Sequence, residues 1–575
     1  MTNAQVAELL EEIASMMELE GEERYFEVRA YRKAATAIGS MHEDVADIYA
    51  KKGMEGMLEL PGVGKSIAKS IEEYIRTGRM EKHDMLKKKY PVDFTGLMKI
   101  QNLGAKRVYK LYKELGVKSV ADLKKAIGQH KVSRLEGFGE KSEEELRKGL
   151  EFMGKGGKRM LLGTALPEAE LIVRRIKEAG LVEEAVIAGS SRRMRETVGD
   201  LDILLTSGKP DKVMDFIAGM GEVSDVLVRG PTKTSVVLKI GLNCDFRVVD
   251  ESNFGAALQY FTGSKDHGVL VRQIAVRKGY SLNEYQLSDR KGRNIGSRTE
   301  AEVYNRLGMD YIEPEMREAR GEIELAQKHM LPRLIAIDDI KGDLQVHANP
   351  LGGVTDSLED MVGRAIKIGH EYLGITNHSK SLYVEKGLNE KQLAKFYGTV
   401  DKMNGKLDNM RILKSAETDI LKDGSLDLDR KTLESMDYRF AAVHSNMNMG
   451  RDEMTGRIVR ALESGYVDIL GHPTGRLINK RDVVSLDLDK IFEAAKDNGV
   501  VMEIDSQPDR LDLNDENIIR AKKYGLKFCI DTDAHMADQM YLLRFGLGTA
   551  RRGWLTKDDV INTQDVGKLL RSFAK

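Results

Sequence analysis

Thr197-Val198-Gly199-Asp200-Leu201-Asp202-Ile203-Leu204-Leu205 is an apolar run interrupted by two carboxylates. Side chains alternate faces along a strand, so Asp200 and Asp202, two residues apart, point the same way. Like charges so placed repel unless a cation lies between them, and hard oxygen donors suit Mg2+ or Mn2+. A third carboxylate, Asp245, sits in another strand-forming run, Asn243-Cys244-Asp245-Phe246-Arg247. Three carboxylates can hold two divalent ions, enough to activate an attacking hydroxyl and neutralise a departing pyrophosphate. Upstream, Ala188-Gly189-Ser190-Ser191-Arg192-Arg193 offers a turn at Gly189, a hydroxyl at Ser190 and a cation at Arg193, the groups a triphosphate needs. A bare Asp-x-Asp is usually a strand end facing water. Here Gly189-Ser190, Arg193 and Asp245 together favour the catalytic reading.

Around this run, residues 156–250 alternate helices with β-rich stretches at Ala185–Ala188, Ile203–Leu205, Ser235–Ile240 and Asp245–Val249, a mixed α/β pattern. Residues 252–320 read as mainly helical, with a strand pair near Tyr280–Leu287, and residues 321–341, with Pro332, read as a linker. The whole chain has 575 residues, which at roughly 100–200 per domain implies three to five domains. With 41% hydrophobic and 31% charged residues it is globular rather than disordered or fibrous. A net charge of -1 excludes a uniformly basic nucleic-acid coat protein, so any DNA contact must rest on local charge. Two cysteines, Cys244 and Cys529, make no disulfide framework and fit a reducing cytosol. The longest stretch free of Asp, Glu, Lys and Arg is Ser252–Ser264, 13 residues, too short to span a membrane. The N-terminus carries Glu8, Glu11 and Glu12 instead of a basic signal region, so a cytoplasmic protein is expected.

Residues 1–155 read as helical, with apolar positions three and four apart at Val6, Leu9, Leu10, Ile13, Met16 and Met17. Lys51–Lys131 holds 19 Lys+Arg against 9 Asp+Glu, a net of +10. Inside it lies Leu60-Pro61-Gly62-Val63-Gly64-Lys65, a glycine turn opening a helix. Ile100-Gln101-Asn102-Leu103-Gly104-Ala105-Lys106 and Leu135-Glu136-Gly137-Phe138-Gly139-Glu140-Lys141 repeat the form. Free N–H groups at such a helix start can grip a phosphate without reading a base. The three pieces resemble helix-hairpin-helix elements, which makes Gly62, Gly64, Lys65, Gly104, Lys106, Gly137 and Gly139 candidate contacts to a DNA backbone.

From Gly342 onward strand and helix alternate, with strands expected at Tyr372–Ile375, Arg411–Leu413, Phe440–Val443, Val467–Leu470, Val500–Ile504 and Lys527–Ile530. This suggests parallel strands with crossover helices, possible as a barrel. Six of the eleven histidines lie here. Five of them, His347, His378, His444, His472 and His535, follow apolar runs closely, and Glu417 follows a sixth. Strand ends converge at a barrel mouth, where His, Asp and Glu can bind Zn2+, Mn2+ or Fe. His42, His83, His130, His329 and His370 lack this context and read as structural or exposed.

Gly189-Ser190 … Gly199-Asp200-Leu201-Asp202 is similar to the nucleotidyltransferase signature of family X DNA polymerases, the DNA polymerase beta group. Tyr260-Phe261-Thr262-Gly263-Ser264 resembles that family's nucleotide-pocket segment and Asn283-Glu284-Tyr285 its later strand. Gly342–Lys575 resembles a PHP (polymerase and histidinol phosphatase) domain. The resemblance implies a multidomain α+β and α/β chain: a lyase-like helical domain at 1–82, fingers at 83–155, a nucleotidyltransferase palm at 156–251, a thumb at 252–320, and a distorted (β/α) PHP barrel at 342–575. It implies metal binding by Asp200 and Asp202, with Asp245 helping to activate a primer 3′-hydroxyl, and a triphosphate held by Ser190 and Arg193. Tyr260, Phe261 and Gly263 would line the sugar pocket, and Arg272 would lie near the template. His347, His378, Glu417, His444, His472, Asp533 and His535 match PHP metal positions for Zn2+ or Mn2+. The implied partners are gapped or nicked double-stranded DNA and deoxynucleoside triphosphates, and the chain is expected to be a monomer.

Several positions depart from the pattern. Ser70 stands where the family's lyase nucleophile is a lysine, and a hydroxyl cannot form a Schiff base, so no strong lyase activity is expected. Gly268 and Met194 stand where Asn and Gly are frequent. In the PHP set, Gln345 and Gly352 occupy two of nine ligand positions, and Asn377 replaces an Asp. The expected function is gap-filling DNA synthesis in base excision repair. The barrel either supplies 3′–5′ exonuclease or 3′-end processing, or is a degenerate scaffold. A small-molecule phosphoesterase with a DNA-binding arm is the remaining alternative.

Overall fold

The computed structural model describes residues 3–573 apart from 21, 40–44, 61, 99, 101–102, 141, 145, 148–149, 151–158, 353 and 355. His42, Pro61, Gln101, Asn102, Lys141 and Gly353, and the boundary expected at 155, lie outside the described residues. The chain forms two compact units, one of residues 1–158 with 476–483, the other of 159–475 with 484–575. No helix among the described residues is long and apolar enough to cross a membrane.

The first unit is helical. Helix Asn3–Met17 puts Val6, Leu10, Ile13, Ala14 and Met17 on one buried face, in a core shared with Val28, Tyr31 and Ile38 of helix Tyr25–Gly39. The same core runs on through Ile67, Ile71, Leu97, Val108, Leu111 and Leu123.

The second unit begins with a five-stranded sheet: β1 (Glu184–Ile187), β2 (Asp200–Thr206), β3 (Val223–Arg229), β4 (Lys233–Leu238) and β5 (Asn243–Val248). Its order is β1-β2-β5-β4-β3, and β2 and β5 are its parallel pair. β3 was not expected from the sequence. It is an edge strand whose residues Val226, Leu227 and Val228 are about half exposed, so it lacks the alternation that marks a half-buried strand.

Helices Phe254–Thr262, Lys265–Arg277 and Glu300–Arg306 follow, with short strands Ser281–Leu282 and Leu287–Ser288 between them. They enclose Val271, Ile274, Leu287, Val303, Tyr304 and Met309. One carboxylate ties this region to the turn before β2. Glu300 accepts from Arg192 at 2.6 Å and from the fully buried Arg317 at 2.5 Å. Burial alone would raise the Glu300 pKa, but Arg317 and Arg192 outweigh it and hold the group at about 2.

Residues 321–341, read from the sequence as a linker, are packed. Buried Glu322 holds His267 Nδ1 at 2.7 Å and the backbone N–H groups of Ala319 and Arg320. His267 Nε2 meets the Tyr304 hydroxyl at 2.8 Å. Ile323, Ala326 and Leu334 fill the helical core just described, whereas Ile335 and Ile340 belong to the core of the C-terminal barrel.

That barrel is built from parallel strands β6 (Gly342–Val346), β7 (Tyr372–Ile375), β8 (Arg411–Lys414), β9 (Glu417–Asp419), β10 (Phe440–Ala442), β11 (Ile469–Leu470), β12 (Val501–Asp505) and β13 (Phe528–Asp531). They pair as β6-β7-β8 and β9-β10-β11-β12-β13. β8 and β9 are halves of one run broken at Ser415-Ala416, and a His378–Glu417 bridge carries the pairing across the break. A Val346–Ala534 bridge closes β13 back onto β6.

Replacing Glu300 with Gln leaves the fully buried Arg317 and the partly buried Arg192 without their counter-charge. The expected loss is about 3–5 kcal/mol of stability near neutral pH, measured by chemical denaturation. Because the folded-state pKa is depressed, the wild-type contribution persists above the unfolded carboxylate pKa and fades only as pH falls toward about 2.

Candidate active sites

The register of β2 against β5 sets Asp202 directly beside Asp245, with Asp200 opposite Asn243. Asp200 is exposed at the strand mouth and Asp202 lies deeper. Burial, then repulsion from Asp200 and Asp245, pushes the Asp202 pKa up to about 6. Asp245 goes the other way: burial is outweighed by hydrogen bonds from Ser235 and Lys233, whose Nζ lies 3.0 Å from the carboxylate. The three carboxylates share a face and offer hard oxygen donors, so they fit divalent cations by charge and chemistry.

Gly189 lies against this group. Its φ is +64°, and a Cβ there would collide with the Asp202 carboxylate, so the turn needs glycine twice over. The next residues run Ser190, partly buried, then Arg193. The Arg193 guanidinium donates to Glu318 at 3.1 Å and to the Thr262 carbonyl. It lies close enough to Gly263 that a Cβ there would sit 3.1 Å from Nη1. Tyr260 and Phe261 meet edge to face at 5.1 Å, with Arg272 over the Tyr260 ring and Arg247 over Phe261. Thus Gly189 touches the Asp202 carboxylate, Arg193 meets Thr262 and Gly263, and Tyr260, Phe261 and Arg272 form an adjoining ring-and-guanidinium cluster. Met194, one of the departures, has φ +53° and packs toward Gly548 of the barrel half.

At the barrel, all the expected ligands stand at carboxyl ends of strands except Glu417, which opens β9 rather than following a strand. Glu417 is the hub. One oxygen lies 2.8 Å from His378 Nδ1 and 3.5 Å from His347 Nε2, the other 2.9 Å from His444 Nε2 and 3.4 Å from His472 Nε2. Asp533 reaches His347 at 2.9 Å, and the His535 ring stacks on His347 at 4.1 Å. His347–His378–His535, His378–Glu417–His444 and His347–Glu417–Asp533 each present three donor atoms within 4.8 Å of one another. These donors, several buried without another partner among the described residues, suit a divalent metal. Burial would raise the Glu417 pKa, but His444 and His378 hold it well below the usual range. Burial, with His535 and His378 adding repulsion, lowers His347 to about 4, and burial with Arg510 lowers His472 to about 3. Glu417 and Asp419 overcome burial at His444 and raise it to about 9.

Sequence reasoning missed the carboxylates behind these rings. Asp419 lies 3.4 Å from His444 Nδ1 and Glu503 lies 3.4 Å from His472 Nδ1, the positions that orient an imidazole ligand. The available signal was charge with period two inside buried apolar runs, Glu417-Thr418-Asp419 and Val501-Met502-Glu503-Ile504-Asp505. Among the departing positions, Gln345 is fully buried and neither amide atom finds a partner among the described residues. Asn377 accepts from Ala348 N–H at 2.7 Å. Gly352 has φ +121°, and the Lys386 ammonium sits 2.8 Å from where its Cβ would be. His83, His130 and His329 pair with Glu12, Glu143 and Asp310, and His370 is buried, as structural histidines.

In the first unit the three glycine turns share one hydrogen-bond pattern. Val63 N–H bonds Leu60 O, Leu103 bonds Ile100 and Phe138 bonds Leu135. The following helices then open with Ala68 to Gly64, Val108 to Gly104 and Glu143 to Gly139. Val63, Leu103 and Phe138 are buried, whereas Gly64, Gly104, Gly137, Gly139, Lys65 and Lys106 face outward. Gly62 has φ +76° and abuts Lys33 and Ala34. Ser70 is buried and its hydroxyl turns back to Ser66 O, while Lys69 is exposed.

Three helix-hairpin-helix turns, a two-aspartate strand with its partner Asp245, and a histidine-lined barrel define a class: a nucleotidyltransferase joined to a metallo-phosphoesterase barrel. Known families agree. Residues 1–80 match the helix-hairpin-helix domain, 94–151 the SAM-like helix-hairpin-helix tandem and 257–318 the DNA polymerase beta thumb. The chain is 37% identical over 573 residues, 99% of each chain, to the DNA polymerase/3′-5′ exonuclease PolX of Bacillus subtilis (strain 168). It is 27% identical over 348 residues to rat DNA polymerase lambda, covering 55% of this chain and 56% of that one. It is also 28% identical over 226 residues to a probable phosphatase of Thermoanaerobacter sp. (strain X514), 36% of this chain and 89% of the relative. The chain belongs to the family X DNA polymerases that carry a C-terminal PHP domain.

The raised Asp202 pKa means that the metal-free fold holds a proton the unfolded chain releases near pH 4, so stability falls as pH rises through about 6. Asp202→Asn is expected to stabilise the EDTA-treated protein at pH 7.5 by about 2 kcal/mol, with little gain near pH 3.5, below the unfolded carboxylate pKa. Denaturant titrations at the two pH values measure this.

Proposed function

We propose that this protein is a template-directed DNA polymerase that fills short gaps during repair, and that its barrel is a 3′–5′ exonuclease that trims primer ends. The polymerase reading rests above all on one observation, the pairing of Asp202 with Asp245 on adjacent parallel strands, with Asp200 on the same face. Asp200 and Asp202 hold the metal pair, Mg2+ or Mn2+. Asp245 faces the primer 3′-hydroxyl, with Lys233 keeping it ionised. Ser190 and Arg193 receive the triphosphate, and Tyr260, Phe261 and Gly263 line the sugar side, with Arg272 toward the template. At the barrel, His347, His378, Glu417, His444, His472, Asp533 and His535 hold Zn2+ or Mn2+, with Asp419 and Glu503 fixing two of the rings. When bound, divalent ions lower the pKa of the attacking hydroxyl or water and neutralise the leaving group.

The hairpin turns grip the DNA backbone through Gly62, Gly64, Lys65, Gly104, Lys106, Gly137 and Gly139 and leave sequence to base pairing with the template. We assign 1–82 to a lyase-like domain without strong lyase activity, 83–155 to fingers, 156–251 to palm, 252–320 to thumb and 342–575 to the PHP domain, in a monomer acting in the cytoplasm. A second reading, in which the barrel is a non-nucleolytic scaffold, draws support from Gln345 and from Lys386 beside Gly352.

Replacing Asp200 and Asp202 with Ala should lower extension of a gapped primer at least a thousandfold, and normal extension would sink the polymerase assignment. The same variant, given Mn2+ but no nucleotides, should still shorten a 5′-labelled primer, and further replacement of His444 with Ala should stop that shortening. No shortening before the His444 change would select the scaffold.

A further inference from the structure

The cation expected to meet the triphosphate does not stand alone. Glu318, which accepts from Arg193 at 3.1 Å, also accepts from Arg552 at 2.8 Å. Arg552 ends helix Leu543–Arg552 of the barrel half and is only 3% exposed. The same guanidinium donates to the Arg193 carbonyl at 2.8 Å and to Asp515 at 2.6 Å. Asp515 has a second cation, Arg320, at 3.0 Å. Arg195 lies farther from Glu318, at 3.9 Å. Next to these contacts, a Cβ on Gly548 would come within 2.6 Å of the Met194 side chain, so the turn that carries Arg193 rests directly on the barrel's helix.

A charge argument follows. Arg193 cannot serve a triphosphate while it is the sole counter-charge of a largely buried carboxylate. Pulling it away would leave Glu318 uncompensated, and a buried unpaired charge is expensive. With Arg552 in place Glu318 keeps a closer and more buried partner after Arg193 turns to the nucleotide. We propose that Arg552 of the PHP half is a positioning residue of the polymerase reaction: it retains Glu318 and the Arg193 backbone, and so frees the Arg193 side chain for the triphosphate. The inference rests on the polymerase reading above and on Arg193 as the triphosphate ligand. It gives the barrel a part in nucleotide binding that is separate from its own chemistry.

The test is steady-state single-nucleotide gap filling by the full-length protein. Replacing Arg552 with Met removes the charge and keeps most of the volume, and Asp515 retains Arg320. The KM for the incoming nucleotide should rise about tenfold, one charge-assisted hydrogen bond's worth, with kcat within about twofold. Adding Glu318→Gln to that variant removes the competitor for Arg193 and should return KM close to the wild-type value. A purely structural Arg552 predicts the opposite, with kcat falling alongside KM and the double variant no better than the single one. Either that pattern or an unchanged KM in Arg552→Met overturns the proposal. Melting temperatures of both variants identify a folding failure. Should Arg552→Met fail to fold, Arg552→Lys, which keeps the charge but not the forked geometry, should show a smaller KM increase that Glu318→Gln again reverses. Absence of extension by the wild-type protein would instead remove the polymerase reading on which the inference stands.

Discussion

A carboxylate taken out of water needs either a proton or a cation beside it, and the second unit is arranged around that constraint. Glu300 and Glu318 are compensated by guanidinium groups and Glu417 by His444 and His378, whereas Asp202, crowded by Asp200 and Asp245, has its pKa pushed up to about 6. The first two solutions are permanent and make structure. The last leaves charge to be completed from outside, which is the condition for binding metal. Glu417 lies between these cases, since it is held low by His444 and His378 within a set of donors that suits a divalent metal.

The two chemistries are therefore built differently. The carboxylate triad is open and mutually repelling, with Asp245 drawn to Lys233. The barrel mouth is dense, with rings stacked at 4.1 Å and held from behind by Asp419 and Glu503. Such a preformed set resembles a resident metal centre. Arg193 and Arg552 meet at one carboxylate, Glu318, which makes this contact with the barrel half an electrostatic joint rather than a purely apolar seam.

Much of this was legible in the sequence because local patterns carried it. Period two placed Asp200 and Asp202 on one face, Gly189-Ser190, Arg193 and Asp245 gave that pair its meaning, and the strand at Tyr372–Ile375 falls where its apolar run lies. The glycine turns announced themselves through Gly62-Val63-Gly64 and its two repeats. What escaped depends on partners distant along the chain. His267 gave no signal because its meaning comes from Glu322 and Tyr304, 55 and 37 residues away. Glu503 and Asp419 act only through rings on neighbouring strands. Val223–Arg229 was missed because an edge strand exposed on both faces has no alternation to read.

The same distinction explains residues 321–341. Pro332 and sparse periodicity mark a tether in one dimension, yet Ile323 and Ala326 fill one core and Ile335 and Ile340 another. A ribbon that serves two cores has no neutral point at which to be cut. The helical core around Val271 and Tyr304 and the barrel are consequently not interchangeable cassettes. Shortened or fused chains that break here expose apolar surface on both fragments, and a barrel borrowed from a relative must bring the matching strap with it.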